Sequence, residues 1–196
     1  MTLVEAQREV RTRFVGGFYG QLVSGVLWLA SAGLATWSSP RAAITTLVVG
    51  GFFIFPATEL LLRASGRTAA LNEANSLRYL GMQAAFVLPL SMPLLLPVGL
   101  YRLNWFYPAM MILVGAHYCP FVFLYGMRMF AVLAGLLVGG GVAIAMHFSS
   151  SFSIGAWYTG ATLLAFAVCG RTLARREQPP NDAGAISSGP PGLRSR

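Results

Sequence analysis

Six long apolar stretches, separated by short segments that carry arginine, constrain the fold of this 196-residue chain more than any other feature. A helix needs about 20 apolar residues to cross the hydrocarbon core of a bilayer. The stretches are continuously apolar and lack the alternation of a membrane β-strand, so they predict helices rather than a β-barrel. The expected membrane spans are residues 14–37, 41–62, 79–101, 104–126, 129–148 and 152–170.

The composition favours a membrane protein over a soluble one. Hydrophobic residues make up 56% of the chain and charged residues only 10%, far below the roughly 25% usual in soluble domains. The net charge of +8 does not predict nucleic-acid binding, because the basic residues lie at the ends of apolar runs and not on one face. We therefore expect a multi-pass protein of the cell's inner (cytoplasmic) membrane, with the lipid bilayer as partner and no nucleic acid.

The arginines alternate between the two sides of the expected spans. Twelve of the fourteen lie before span one, between spans two and three, after span four or after span six, and only Arg41 and Arg102 fall on the opposite side. By the positive-inside rule this distribution predicts that both termini are cytosolic, and it supports an even number of spans. Tyr101, Trp105 and Tyr107 cluster at the expected external interface, where amphipathic rings anchor helices.

Three segments with different compositions divide the chain. Residues 1–13 mix apolar and charged side chains, which predicts a short amphipathic helix on the cytosolic membrane surface. Residues 14–170 form the expected six-helix transmembrane domain. Residues 171–196 are basic and become rich in Pro, Gly and Ser, which predicts a disordered cytosolic tail.

The six spans form three consecutive hairpins in the expected fold, which is an all-α integral membrane bundle. A shift of 64 residues superposes Gly51 on Gly115 and Pro56 on Pro120, so spans two and four share a Gly-x4-Pro pattern. Each hairpin leaves the cytosolic side and returns to it. The repeat is therefore parallel, unlike the inverted repeats of many transporters.

A resemblance to known families adds to this interpretation. The stretch GAHYCPF at 115–121, followed by Leu124 and Tyr125, resembles a signature of an uncharacterised family of small six-span bacterial membrane proteins, known only as a domain of unknown function. The hairpin 24–63 is similar to the repeating hairpins of acid-resistance six-span membrane proteins. Both resemblances imply a fold and a location, and neither implies a reaction or a catalytic residue.

Few ionisable or amide side chains lie within the expected spans, where each is costly. Glu59 precedes Arg63 by four residues, the favourable order for an ion pair on a helix, although it is also a candidate proton- or cation-binding carboxylate. His117 falls near the midplane, where it either packs against a neighbouring helix or acts as a proton relay or a ligand. Gln21, Gln83 and Glu59 fall in the cytosolic halves of their spans, so we hypothesise one inner-leaflet pocket with His117 at its floor.

Span three carries a proline every fourth residue, at Pro89, Pro93 and Pro97. Each proline removes a helix hydrogen bond and clashes with the carbonyl four residues earlier. The pattern predicts a kinked or locally unwound helix with freed carbonyls satisfied inside the protein. Transporters use such broken helices to bind ions, and the alternative is a bent helix that wraps around its neighbours.

Two stripes of small residues predict close helix packing, either against each other or across a dimer seam. They lie in spans one and five and comprise Gly16, Gly20, Ser24, Gly135, Gly139 and Ala143.

The sequence contains no recognisable catalytic constellation: no nucleophile–base pair, phosphate loop, paired carboxylates or Cys/His metal-ligand spacing. We therefore expect no enzyme activity, no cofactor and no metal. The leading hypothesis is a non-enzymatic membrane protein of a stress, envelope or assembly type, which packs with itself, with lipid or with a membrane partner. The alternative is a small transporter or channel that uses the proline-broken third span with Glu59 and His117.

Overall fold

A computed structural model of the chain describes residues 1–176, which are mainly helical and include no strand. The helices are α1 (Leu3–Arg13), α2 (Phe18–Trp37), α3 (Pro40–Phe52), α4 (Ile54–Ala64), α5 (Leu77–Ser91), α6 (Leu95–Tyr101), α7 (Phe106–Tyr125), α8 (Met129–His147) and α9 (Ile154–Arg176). Single 3₁₀ turns precede α2, α6 and α7 at Val15–Gly17, Met92–Leu94 and Leu103–Trp105. Helix α9 continues past the expected boundary at residue 170, and residues 177–196 of the expected tail lie outside the described residues.

Several helices are long and apolar enough to cross a membrane, which indicates a membrane protein. Four segments qualify in the described part of the chain: Val15–Trp37, Leu77–Tyr101, Leu103–Tyr125 and Met129–His147. The pair α3 and α4, bent by 56°, makes a fifth if the two helices form one span. Helix α9 has 23 residues but does not qualify, because its threonines, aromatics and arginines make it less apolar. The count of six spans and the orientation stay predictions.

The helices pack in a curled row in the order α5/α6, α7, α8, α9, α2 and α3/α4. The most extensive contacts join α7 to α8 and α2 to α9, so the closest packing lies between the expected hairpins rather than within them. Helices α2, α7, α8 and α9 supply most of the core. In the flanking segment Leu77–Tyr101, only 11% of an 18-residue apolar stretch is buried, compared with 44% for the corresponding stretch of Leu103–Tyr125.

The two ends of this bundle differ sharply in charge. Ten of the twelve described arginines lie at the end that carries α1 and the C-terminus of α9, which we call the basic end. Arg41 and Arg102 lie at the opposite end, where the guanidinium of Arg102 lies 5.2 Å from the centroid of the Trp105 ring. The arginine alternation in the sequence thus corresponds to a separation of charge between the two ends of one bundle.

Glycines allow α2 and α9 to approach closely at the basic end. Val15, Gly16 and Gly17 have positive φ angles of 53°, 63° and 84°, so the chain makes a left-handed turn between α1 and α2. A Cβ atom on Gly16 would overlap the carbonyl oxygen of Gly170, and one on Gly170 would lie 2.5 Å from the carbonyl oxygen of Gly16. Such backbone contact is the close approach that small residues permit between membrane helices.

A capping box begins α1. The Thr2 backbone N–H donates to the Glu5 carboxylate at 2.8 Å, and the Glu5 N–H donates to the Thr2 hydroxyl at 3.4 Å. Hydrogen bonds from the Thr2 backbone N–H and from the Thr2 side chain favour the ionised carboxylate and lower the pKa of Glu5. Glutamate at the third helical position after a capping threonine is the sequence signature of this start.

Helix α1 caps the C-terminus of α7. The Gln7 side chain donates to the carbonyl of Phe123, and the Arg11 guanidinium donates to that of Tyr125, both at 2.6 Å. These carbonyls belong to the last turn of α7, where no intrahelical donor remains. Helix α1 buries Ala6 and Val10 against the protein, and its expected place on the cytosolic membrane surface stays a prediction.

The second candidate span is broken at Phe53, where α3 ends and α4 begins. Pro56 lies in the first turn of α4, where its missing N–H breaks no intrahelical hydrogen bond. Pro120 occupies the matching position of the proposed repeat, yet it lies inside the continuous helix α7. The shared Gly-x4-Pro pattern therefore produces a bend in one hairpin only.

Candidate functional site

The structure does not gather the expected inner-leaflet pocket into one place. Glu59 forms an ion pair with Arg63 on the same helix, as one of the two sequence hypotheses has it. Gln83 is exposed on α5. No hydrogen bond or ring contact within the described residues joins any two members of the set Gln21, Glu59, Gln83 and His117.

His117 lies at the interface between α7 and α5. Its ring is 5.0 Å from the ring of Phe121 and 5.6 Å from that of Tyr118, measured between centroids. The imidazole also lies beside the Ala84 backbone of α5. These contacts support a role in helix packing, although the Nδ1 atom is buried without a hydrogen-bond partner among the described residues.

Gln21 lies in the interior of the bundle, where it is only 2% exposed. It falls on the same face of α2 as Gly17 and Gly25, which are one turn away on either side. Neither its amide oxygen nor its amide nitrogen has a hydrogen-bond partner in the described part of the chain. A buried amide in this state destabilises the protein relative to an apolar side chain of the same shape.

The third candidate span is locally interrupted, as the sequence predicts, but the break lies at Pro93, whereas Pro89 lies inside α5 and Pro97 inside α6. The α-helix ends at Ser91, a 3₁₀ turn follows at Met92–Leu94, and α-helix resumes in α6. Pro89, Pro93 and Pro97 are nevertheless all exposed on the outside of the bundle. This placement favours the bent helix over an ion-binding cavity lined by freed carbonyls.

The small-residue stripe of span one faces the bundle, with unequal burial. Gly16 is buried against Gly170, whereas a Cβ atom on Gly20 would meet only Thr58 Oγ1 at 4.0 Å. Ser24 is half-buried. Among these three residues, the closest helix contact is therefore at the left-handed turn.

The stripe of span five faces outward. Gly135, Gly139 and Ala143 are exposed on α8. A Cβ atom on either glycine would meet no described atom within 4 Å. The stripes therefore do not pack on each other within one chain, and the α8 stripe is left without an intramolecular partner in the described residues.

Tyr107, expected from the sequence to anchor the external interface, instead belongs to a buried hydrogen-bond network. Tyr107 is fully buried, and its hydroxyl lies 2.6 Å from Ser31 Oγ. Ser31 Oγ also donates to the Ala43 carbonyl at 2.8 Å, so three helices meet at one polar point. The expectation that Tyr107 anchors the external interface is wrong, because the curled row folds the start of α7 against α2. Tyr101 is 82% exposed, as an interfacial ring would be.

Arginines from several segments line a pocket of about 190 Å³ at the basic end, which we call the basic pocket. Arg11 belongs to α1, Arg67 to the loop after α4, and Arg171 and Arg175 to the last turns of α9. Sequence reasoning misses this convergence, because the three segments that carry these arginines are far apart in the chain. Their shared feature in the sequence is a position just outside an apolar stretch.

Hydroxyl groups complete the polar wall of the basic pocket. Thr12, Tyr19 and Ser65 line it together with the arginines. The carbonyl of Thr12 accepts a hydrogen bond from Arg67 Nη1 at 3.0 Å, which fixes the loop against the end of α1. Guanidinium and hydroxyl groups are donors suited to anionic oxygens.

Metal-ligating side chains do not cluster among the described residues. No group of three or more His, Cys, Asp or Glu side chains is placed there to hold an ion. Arginine does not coordinate cations, so the basic pocket suits an anion instead.

A comparison with known proteins returns one family. The sequence model of a family of unknown function, DUF7010, matches residues 3–172. No curated protein and no solved structure matches the chain. The match agrees with the expected membership of an uncharacterised family.

Proposed function

This chain belongs to the family of unknown function DUF7010, and from its own surfaces we propose that it is a small non-enzymatic membrane protein that acts by helix packing with itself. Its role would be structural, in the envelope, in assembly or in a stress response. We propose further that all six helical stretches cross an inner membrane with the basic end in the cytosol. The arginine distribution between the two ends supports that orientation.

The open stripe on α8 carries this proposal. In the α2–α9 contact, small residues are covered by the facing helix, whereas Gly135 and Gly139 meet no described neighbour. Exposed apolar side chains stand beside the stripe on the same helix, including Val132 and Met146. Apolar area alone does not drive helix association in lipid. Close approach of two backbones at small residues is the feature that would drive it.

A second copy of the chain is the partner that we propose for the stripe. Most oligomers are symmetric, and a two-fold axis brings the same patch of two subunits together. A stripe of small residues is self-complementary in this sense, because each backbone can settle into the groove of the other. The proposal therefore predicts a dimer with α8 packed on α8.

The proposal is tested by measuring energy transfer between fluorescently labelled copies of the protein in liposomes as the protein is diluted in lipid. Gly139→Leu should weaken association about tenfold or more, because the leucine separates the two backbones. Gly99→Leu is the matched control, since a Cβ atom on Gly99 also meets nothing within 4 Å. A monomeric wild type, or equal loss of energy transfer in both variants, would contradict the proposal.

A small transporter or channel is the second candidate, and one observation favours it. Gln21 and His117 hold buried polar atoms without hydrogen-bond partners in the described residues, which a permeating ion or water would satisfy. A transporter should lose flux in His117→Ala or Glu59→Gln while still folding and inserting. Unchanged flux of the likely ions in both variants would remove this candidate.

A further inference from the structure

We infer that the basic pocket binds a phosphate-bearing anion, either the headgroup of an anionic lipid or free phosphate. It is the place where arginines from α1, α9 and the loop after α4 converge on one concavity of about 190 Å³. This inference goes beyond the proposed helix packing, because the pocket and the α8 stripe share no residue.

The charge around the basic pocket is unbalanced in favour of an anion. Of the four carboxylates in residues 1–176, none lines the pocket. Glu5 is engaged by Thr2, Glu9 by Asn75, and Glu59 by Arg63. The positive charge in the pocket is therefore not neutralised by a described carboxylate of its own wall.

Three arginines of the pocket, Arg67, Arg171 and Arg175, keep donors available for a ligand. Arg67 uses Nη1 on the Thr12 carbonyl, and a guanidinium has five N–H donors. The Arg171 guanidinium lies over the Phe18 ring, 4.7 Å from its centroid, which restrains it through a cation–π contact and not through a hydrogen bond. Arg175 has no hydrogen bond or ion pair to any described residue. Planar guanidinium groups bind phosphate oxygens in pairs of parallel hydrogen bonds.

The depth of the pocket suits a headgroup. Tyr19 lies in the first turn of α2 and Arg171 near the end of α9, so the pocket opens where the proposed spans leave the hydrocarbon core. Basic pockets at this level on the cytosolic side of a membrane are the sites that bind acidic lipid headgroups. A neighbouring cavity of about 360 Å³ shares Thr12 and Arg67 and adds Arg13, which provides room beyond a single phosphate.

Thermal unfolding of the full chain in nanodiscs tests the inference. One arm compares phosphatidylcholine with phosphatidylcholine plus phosphatidylglycerol, and the other adds millimolar inorganic phosphate to phosphatidylcholine discs. A ligand that binds only the folded state raises the unfolding midpoint, here by about 5 °C. A rise with phosphatidylglycerol alone identifies a lipid headgroup, and a rise with inorganic phosphate identifies the free anion as sufficient.

Substitutions assign the effect to the pocket. Arg175→Gln and Arg67→Gln should each remove at least half of the rise, measured against the same variant in phosphatidylcholine without phosphate. Arg175 has no described partner to lose, so this variant should fold even if Arg67→Gln does not. Arg128→Gln is the matched control, because Arg128 lies at the same end of the bundle but outside the pocket. No rise in either arm, or an equal rise in all variants, would overturn the inference.

Discussion

Gly16 combines two constraints that few residue types satisfy. Its φ angle of 63° lies in the left-handed region, where a Cβ atom causes strain. Its Cα also faces the backbone of Gly170 with no room for a methyl group. The approach of α2 to α9 at the basic end therefore depends on this position.

Gly16→Ala should lower the free energy of unfolding by about 2–4 kcal/mol, from backbone strain and overpacking together. Gly20→Ala, one turn later on the same stripe, should be neutral or stabilise by up to about 1 kcal/mol, because alanine favours the helix and the site has room. Denaturant titration in mixed micelles measures both. Equal effects of the two substitutions would show that the close contact at Gly16 does not form.

Substitutions at the two buried polar residues Ser31 and Gln21 should have opposite effects on stability. Ser31→Ala should destabilise by about 1–3 kcal/mol, because it leaves the buried Tyr107 hydroxyl without its close partner. Gln21→Met should be neutral or stabilise by about 1 kcal/mol, because the amide has no described partner to lose. The same unfolding titration compares the two. A clear loss of stability in Gln21→Met would show that the amide is satisfied in the membrane by water or an ion.

The sequence predicts the contacts of polar residues well where the partner is close in the chain. The Glu59–Arg63 ion pair follows from a spacing of four on one helix. The Tyr107–Ser31 contact joins residues 76 positions apart, and no local pattern encodes that separation. The sequence does not predict the basic pocket for the same reason, because its lining residues come together only in the folded row of helices.

At the level of elements, Asn75 holds α1 and α5 in place together. Its side-chain amide donates to the Ala6 carbonyl at 3.1 Å and to Glu9 at 2.8 Å, and its oxygen accepts from the Leu77 N–H at 3.0 Å. The residue is fully buried. One side chain thus links the loop before α5 to the helix that caps α7.

Asn75→Ala should release α1 and raise amide hydrogen exchange over residues 3–13 by at least about tenfold, since it breaks buried hydrogen bonds. Asn72→Ala is the matched control, because the Asn72 side chain is exposed and accepts only from Ala74 two residues later. Exchange measured by mass spectrometry compares the variants. Unchanged protection of α1 in Asn75→Ala would mean that other contacts are sufficient to hold the helix.

Apolar runs predict the positions of the long helices to within a few residues. The 3₁₀ turn in the proline-rich segment also follows from the sequence, because proline cannot supply the required N–H. The bend between α3 and α4 does not follow, since the same Gly-x4-Pro pattern leaves α7 continuous. Tertiary packing decides between those outcomes, as α7 lies in the core and α4 lies at its edge.

For the whole molecule, the sequence predicts the all-helical class and the charge asymmetry between the two ends. It does not predict the order of the row, because apolar faces of membrane helices carry little information about their neighbours. The closest contacts join helices of different hairpins. That order leaves one face of α8 as an outer surface with small residues along it.

Disulfide cross-linking between copies in native membranes tests the central claim, the packing of α8 on α8, most directly. Cys119 and Cys169 are first replaced by alanine, and a single cysteine is introduced as Ala143→Cys on the stripe or as Leu90→Cys on the exposed face of α5. The account predicts a cross-linked dimer for Ala143→Cys and little or none for Leu90→Cys. Absence of the dimer at position 143, or equal cross-linking at both positions, would contradict it.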